Sequence, residues 1–117
     1  ITLTRKHRNE NRQLAVSISS TGKDLQEFVI DTVGVGKITN KRIAQSRHTP
    51  SLVYAIYNQQ ALNLLEQIFP YLKGYKTRRA ALVLRDYSKL TPRNGKYTPE
   101  QRLARKQFES RVLAIKP

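Results

Sequence analysis

Residues 13–20, with the sequence QLAVSISS, alternate between apolar and polar side chains, and this alternation is the strongest local signal of the fold. One face carries three apolar residues: Leu14, Val16 and Ile18. The opposite face carries small residues: Ala15, Ser17 and Ser19. A period of two residues is typical of a strand with one buried face. We therefore predict a strand whose apolar face belongs to the core.

The residues on both sides extend this strand into a ββα unit. Ile1–Lys6 alternates in the same way, and the wholly polar segment His7–Arg12 predicts a hairpin loop. After the second strand, Thr21 and Asp24 have the spacing of a helix capping box. The helix that follows carries apolar residues at helical spacing: Leu25, Phe28, Val29 and Val33. Gly34 and Gly36 are predicted to end it.

The same order then repeats along the chain. We predict a strand over 37–44, a loop over 45–51 and a strand over 52–58. The second helix carries apolar residues at helical spacing up to a bend or end at Pro70: Ala61, Leu64, Leu65, Ile68 and Leu72. The pattern ββα–ββα predicts an α+β fold, with a four-stranded antiparallel, saddle-like sheet covered by helices on one face.

Two more helices are predicted to complete a single domain, 1–117. The first covers 78–89 and has one apolar side: Ala80, Ala81, Leu84 and Tyr87. After a polar loop over 89–97, the last helix starts at Thr98, with Pro99 at its first position and Gln101 completing a capping box. Its apolar stripe is predicted to pack on the domain: Leu103, Ala104, Phe108, Val112 and Ile115.

The charge of the chain indicates a polyanionic partner. It has 22 Lys and Arg against 8 Asp and Glu, a net charge of +14, and an isoelectric point near 10.6. Only Glu10 lies in a predicted loop, and the other acids fall in predicted helices, so we expect strands and turns of almost purely positive charge. This composition predicts binding to nucleic acid, either DNA or RNA. No apolar run approaches a membrane span, so no membrane partner is expected.

Other site chemistry is sparse in the sequence. There is no Cys, which excludes a disulfide framework and a thiolate metal site. His7 and His48 have no neighbouring Cys or carboxylate at metal-ligand spacing. Gly34-Val35-Gly36 lacks the third glycine of a dinucleotide-binding motif and follows a helix instead of opening one. The six tyrosines could stack on bases, although most are better explained as core or rim residues.

Several segments resemble the LAGLIDADG homing endonucleases. Residues 14–20, 25–28 and 33–36 (VGVG) resemble the first half of such a domain. Residues 61–72 (ALNLLEQIFPYL), followed by 80–84 (AALVL), are similar to its later part. The match covers most of 1–90, and 91–117 adds a loop and a C-terminal helix. In that family a saddle-shaped sheet straddles a DNA duplex, and its outward strand residues read the major groove.

The resemblance implies which residues would contact nucleic acid. Carried over residue by residue, the outward positions are Thr2, Thr4, Lys6, Arg8, Gln13, Ser17, Ser19, Lys37, Thr39 and Lys41. Lys76 stands where the family has a basic residue near the scissile phosphate, and Ser20 where it often has Gln or Asn near the metal-bound water. Most of the outward positions coincide with the polar face that the alternation had already assigned to solvent or ligand.

The chain also departs from the family pattern. The family's namesake helix precedes the first strand and ends in an acid that binds the divalent metal, whereas this sequence starts where that strand starts. We therefore expect no catalytic residue and no metal ligand in this chain. Mg²⁺ as cofactor, and a homodimer, are expected only if the parent protein has that helix.

Two hypotheses follow. In the first, the chain is a non-catalytic, nucleic-acid-binding component of a ribonucleoprotein, such as an organellar ribosome or a maturase complex. Such a protein would be intracellular, in a mitochondrion or plastid. In the second, it belongs to a site-specific DNA endonuclease whose metal-binding helix lies outside this sequence. The residues alone leave both open.

Overall fold

A computed structural model describes residues 1–40 and 50–117. The strands are β1 (Thr2–Thr4), β2 (Gln13–Ser20), β3 (Lys37–Asn40) and β4 (Leu52–Tyr57). The helices are α1 (Lys23–Val33), α2 (Asn58–Ile68), α3 (Tyr75–Asp86) and α4 (Pro99–Ala114), with a 3₁₀ turn at Phe69–Tyr71. The predicted ββα–ββα order with two further helices is confirmed. No helix in the described ranges is long and apolar enough to span a membrane.

The four strands form one antiparallel sheet in the order β1-β2-β4-β3. β2 and β4 are its centre and pair from Ala15 opposite Tyr57 to Ser20 opposite Leu52. β1 extends the sheet beside β2, and β3 beside β4. The two sequence repeats therefore meet along their second strands, which places β1 and β3 at the edges.

The core lies on one face of this sheet, as the alternation of β2 predicts, but the third predicted core residue of β2, Ile18, is 37% exposed, and Ala15 of the opposite face is buried. Leu14 is fully buried and Val16 is nearly so, and from β4 Tyr54 and Ile56 point to the same side. The helices supply the other half of the core through small, branched aliphatic and aromatic side chains: Ala61, Leu62, Leu65, Ala80, Val83, Phe108 and Val112. All helices that contribute to the core thus cover a single face, and the opposite face of the sheet stays open.

Tyr54 and Gly36 fix the turn between α1 and β3. The Tyr54 hydroxyl donates a hydrogen bond to the Val35 carbonyl at 2.6 Å, and burial raises the pKa of this hydroxyl. Gly36 lies against the Tyr54 ring at φ +118°, and a Cβ built there would come within 2.7 Å of Ile56 Cγ2. Gly34 caps α1 in the left-handed conformation at φ 85°, as predicted. Both positions favour glycine because their φ is positive, but only at Gly36 would an added Cβ also collide with neighbouring side chains.

The buried face of α1 is only partly the predicted apolar one, since Val29 and Val33 pack against the core but the other two positions do not. Leu25 is 50% exposed and Phe28 is 66% exposed, whereas Gln26 is completely buried. The Gln26 amide nitrogen donates to the Ile18 carbonyl at 2.9 Å and to the Leu52 carbonyl at 3.0 Å. A polar side chain therefore joins α1 to the two central strands. The predicted Thr21 capping box is also wrong, because the N-cap is Gly22 and makes no side-chain cap.

Several predicted boundaries and faces shift. β1 ends at Thr4, and β4 ends at Tyr57 because α2 begins at Asn58. α2 ends at Ile68 before Pro70, as expected. α3 starts three residues early, at Tyr75, and buries Ala80, Val83 and Tyr87, while Ala81 is exposed. The remainder of the predicted strand 37–44 and most of the loop 45–51 lie outside the described residues.

The last helix confirms its predicted start and corrects its predicted face. The Thr98 hydroxyl accepts from the Gln101 amide at 3.1 Å, and the Gln101 side chain accepts from the Thr98 amide at 2.9 Å. Leu103, however, is 59% exposed. The buried positions are Phe108 and Val112 of the predicted stripe together with two charged residues, Arg105 and Glu109. An apolar stripe could not reveal this face, because half of it is ionic.

Arg105 connects α4 to two other parts of the chain. Its Nε donates to Glu109 Oε2 at 3.1 Å. Its Nη2 donates to the Arg12 carbonyl at 2.6 Å, and its Nη1 to the Leu90 carbonyl at 3.1 Å and to the Thr91 hydroxyl. The guanidinium carbon also lies 4.6 Å from the centre of the Tyr87 ring. Every direction of this buried cation is thus occupied by an acceptor or an aromatic face.

Tyr87 carries the network onward to the sheet. Its hydroxyl accepts from the Leu14 amide at 3.1 Å and donates to Asn58 Oδ1 at 2.7 Å. Asn58 has a positive φ of 52°, the conformation in which β4 turns directly into α2. A side chain from the end of α3 therefore fixes both the start of β2 and the junction of β4 with α2.

We expect Gly36→Ala to lower the free energy of unfolding by about 2–4 kcal/mol, because it combines overpacking against Ile56 with a backbone conformation unfavourable to a Cβ. Gly34→Ala is the matched control. It has a positive φ but no atom within 4 Å of the added Cβ, so its cost is about 1–2 kcal/mol. Urea denaturation measures both, and equal losses would contradict the packing argument.

We expect Glu109→Ala to lower the free energy of unfolding by about 3–5 kcal/mol, because it leaves the Arg105 guanidinium buried without its carboxylate. Glu66→Ala removes an exposed carboxylate from α2 and is expected to change stability by less than about 0.5 kcal/mol. Thermal or urea unfolding of the two variants checks this difference. A loss at position 109 no larger than at position 66 would show that the pair contributes nothing.

Candidate nucleic-acid interface

The open face of the sheet is defined by the strand register, since residues paired directly across strands share a face. Two rows cross three strands: Ser17, Ala55 and Lys37, and Ser19, Val53 and Thr39. A third row joins Thr2, Ala15 and Tyr57, and a fourth joins Thr4 and Gln13. We call these positions the open face; they all point away from the helices.

Seven of the sequence-predicted contact residues come together on this open face. They are Thr2, Thr4, Gln13, Ser17, Ser19, Lys37 and Thr39. Thr2 is half-buried and the other six are exposed. Within the described ranges, none of the seven side chains makes a hydrogen bond or ion pair to another residue. Their polar groups are therefore available to a ligand.

The other predicted contact residues lie elsewhere. Because β1 ends at Thr4, Lys6 and Arg8 belong to the β1–β2 loop and not to the strand face to which the alternation assigned them. Lys41 lies outside the described residues. Lys76 is exposed in the first turn of α3. Ser20 accepts a hydrogen bond from the Gly22 amide at 3.0 Å, and its register places it on the side of the core.

A contact of the same helix locates Lys76 beside the start of β1. Arg79, one helical turn later, donates to the Ile1 carbonyl at 2.9 Å and to the Ile115 carbonyl at 2.8 Å. Lys76 thus borders the edge strand of the sheet without lying on the open face.

The sequence analysis missed the contribution of β4. Val53, Ala55 and Tyr57 alternate with the buried residues of this strand, and Tyr57 is 46% exposed. Residues 52–57 (LVYAIY) are all apolar or aromatic, so alternation could not separate the two faces of this central strand. The open-face residues of β4 can be recognised only from the pairing of β4 with β2, and that pairing is a property of the sheet order.

The charge distribution differs from the predicted one-sign strand surface. Among the described strand residues, only Lys37 is charged. Eight of the described cations lie in the β1–β2 loop and around the start of α3: Arg5, Lys6, Arg8, Arg12, Lys73, Lys76, Arg78 and Arg79. Most of the other described cations lie on the helices or between α3 and α4. All seven predicted helical acids do lie in helices. The result is a neutral polar face bordered by positive charge.

The dimensions of the open face fit one nucleic-acid groove. The eight residues of β2 extend over about 26 Å, which corresponds to roughly eight stacked base pairs. No row of paired residues in the described ranges crosses more than three strands, which gives a width of about 10 Å, within the roughly 12 Å of a B-DNA major groove. Neutral hydroxyl and amide groups on such a surface can bond base edges, while flanking cations can meet phosphates.

The described residues do not fit a divalent metal site. All eight acids of the chain lie in the described ranges, and no three His, Cys, Asp or Glu side chains there are grouped to hold an ion. The Glu10 carboxylate accepts from the Lys6 and His7 amides at 3.1 and 2.6 Å. Glu109 is bound to Arg105 and to the Arg12 amide. Hard cations need several oxygen ligands together, which these isolated carboxylates do not supply.

Comparison with known proteins gives similarity at the level of structure only. No family model matches the sequence, and no curated protein matches it. Among solved structures, the archaeal intron-encoded homing endonuclease I-Vdi141I complexed with DNA aligns over 99% of this chain and 75% of its own, at TM-score 0.73 and 15% identity.

A second relative occurs in two crystal structures of the homing endonuclease I-CvuI. In complex with its target it aligns over 91% of this chain and 62% of its own, at TM-score 0.65 and 20% identity. In the other structure it aligns over 99% of this chain and 73% of its own, at TM-score 0.70 and 18% identity. This chain thus spans less than two thirds of the first I-CvuI structure. The predicted architecture is confirmed: the chain has the fold of the LAGLIDADG homing endonucleases.

Proposed function

We propose that this chain binds nucleic acid through the open face of its sheet. The observation that carries the proposal is the set of seven exposed or half-exposed polar side chains that share this face and are not used in internal contacts. The net charge of +14 supports a polyanionic ligand. The cations beside the sheet would position the backbone, and the neutral side chains would contact base edges.

Duplex DNA is the ligand that we propose first. The structural relatives I-CvuI and I-Vdi141I are described in complexes with a target or with DNA. The dimensions of the open face also match a B-form major groove. Structured RNA, as a component of a ribonucleoprotein, is the second ligand to test, because irregular RNA can also dock on a basic surface.

We further propose that the chain binds without cleaving. Phosphodiester hydrolysis by a metal-activated water needs ligands that fix the ion beside the scissile phosphate. Glu10 is bound to amides, Glu109 to Arg105 and to an amide, and Asp86 to Arg85, and no three His, Cys, Asp or Glu side chains of the described residues are grouped to hold an ion. Lys76 would contact a phosphate as a point charge.

Binding is expected to weaken steeply with salt. If about 6–10 cations meet phosphates, affinity for duplex DNA should fall roughly 10³–10⁵-fold between about 50 and 200 mM salt. The double variant Lys37→Ala/Thr39→Ala should weaken binding by about 1–3 kcal/mol without loss of stability, because both side chains point away from the core.

Fluorescence anisotropy over a salt series, with DNA and RNA ligands in parallel, measures both effects. Lys23→Ala is the control, because it removes the same charge from α1 on the helical side. A flat salt titration, or a double variant indistinguishable from the control, would overturn this interface.

No Mg²⁺-dependent cleavage by residues 1–117 is expected, because their carboxylates do not form a metal site. The measurement is incubation of the protein with a randomised duplex library in Mg²⁺ or Mn²⁺, followed by sequencing of the ends. A matched incubation with a chelator controls for contaminating nucleases by separating metal-dependent from metal-independent ends. A site-specific cleavage activity that copurifies with the chain and requires the metal would contradict the non-catalytic proposal.

A further inference from the structure

A concavity of about 760 Å³ lies between the β1–β2 loop and α4. Its walls are that loop, the segment between α3 and α4 at Gly95 and Tyr97, and the exposed side of α4. Five cations line it: Arg5, Arg8, Arg12, Arg102 and Lys106. The only carboxylates in its lining are Glu10 and Glu109. Of the predicted nucleic-acid contact residues in the described ranges, only Arg8 lines this concavity. The predicted sheet interface therefore does not explain this basic surface.

Among the described residues, the two carboxylates leave most of the cations that face the cavity without an ion pair, and only Arg12 pairs with one of them, through Nε 3.9 Å from Glu109 Oε1. Glu10 is bound by the amides of its own loop, and Glu109 by Arg105 and the Arg12 amide. Within the described ranges, Arg8, Arg102 and Lys106 have no carboxylate within ion-pair distance. Arg102 and Lys106 are exposed and are separated by four residues on α4, so they project from the same side of the helix.

The walls are held in place by the buried Arg105 and by a hydrogen bond within the β1–β2 loop. Arg105 directly precedes Lys106 in the sequence. It joins α4 to the Arg12 carbonyl in the β1–β2 loop and to the Leu90 carbonyl, which precedes the wall at Gly95 and Tyr97. The loop is also braced by the Arg5 guanidinium, which donates to the Arg8 carbonyl at 3.1 Å. A preformed site loses less conformational entropy when a ligand binds.

We propose that this concavity is a second phosphate-binding site, which takes the sugar–phosphate backbone of nucleic acid where it leaves the open face. The proposal rests on the proposed function, and it adds contacts from Arg102 and Lys106 that the sheet does not supply. The β1–β2 loop is shared by both surfaces, because Thr4 and Gln13 at its two ends lie on the open face. Contacts to phosphates alone make this site independent of base sequence.

The test compares Arg102→Ala and Lys106→Ala with Lys23→Ala, each a loss of one exposed charge. Lys23 follows the far end of β2, about 26 Å along the strand from the loop. Association with two long duplexes of unrelated sequence is measured over a salt series. Each site variant should lower the slope of log affinity against log salt by about 1, equally for both duplexes, and Lys23→Ala should not. Urea unfolding verifies that all three variants keep their stability.

The outcomes separate this inference from the proposed function. If the wild-type chain binds no nucleic acid, both fail. If it binds, and Lys37→Ala/Thr39→Ala weakens it, but Arg102→Ala and Lys106→Ala match Lys23→Ala, only the second site is overturned. Poly-glutamate and inorganic phosphate are tested at equal ionic strength. If the two variants lose affinity for poly-glutamate and none for DNA, or if inorganic phosphate binds as tightly as DNA, the site belongs to another anion.

Discussion

The buried Arg105 guanidinium is the interaction on which the arrangement of the chain depends. It bonds to Glu109 on its own helix, to the Arg12 carbonyl before β2, and to the Leu90 carbonyl after α3, and its face lies against Tyr87. Only arginine offers five donors in a planar fork with an apolar face, so lysine could not replace these contacts. The free energy of desolvating the cation is offset only while every partner is present. The positions of α4, of the β1–β2 loop and of the segment that follows α3 are therefore fixed together.

Tyr87 transmits this constraint to the sheet, since its hydroxyl links the Leu14 amide to Asn58. Internal polar contacts thus concentrate on the helical side: Gln26 binds the carbonyls of both central strands, and Tyr54 binds the turn before β3. The open face has no such structural duty. Its polar side chains can therefore serve a ligand without a stability cost, and changes there can alter binding and leave the fold intact.

The separation of charge from neutral polarity has a physical consequence for recognition. Hydroxyl and amide groups can both donate and accept hydrogen bonds, so a surface of Thr, Ser and Gln can match different base edges. Cations bind phosphates strongly but carry no sequence information. In the proposed interface, the neutral sheet would supply specificity and the flanking cations would supply affinity. Lys37 is the one charged residue among the described strand residues. Because it shares a row with Ser17 on the open face, it is the most informative single position for mutagenesis.

The sequence by itself determined the order of elements, the two faces of β2, the capping box at Thr98 and the basic character of the chain, because each depends on local spacing or composition. Tertiary structure alone decided the order β1-β2-β4-β3, the open-face role of Tyr57, and the burial of Gln26, Arg105 and Glu109. Periodicity assigns buried positions to apolar residues, so it shifts the face of a helix whenever a polar side chain is satisfied in the core. The partners of Arg105 are as distant in sequence as Arg12, and only the folded chain brings them together.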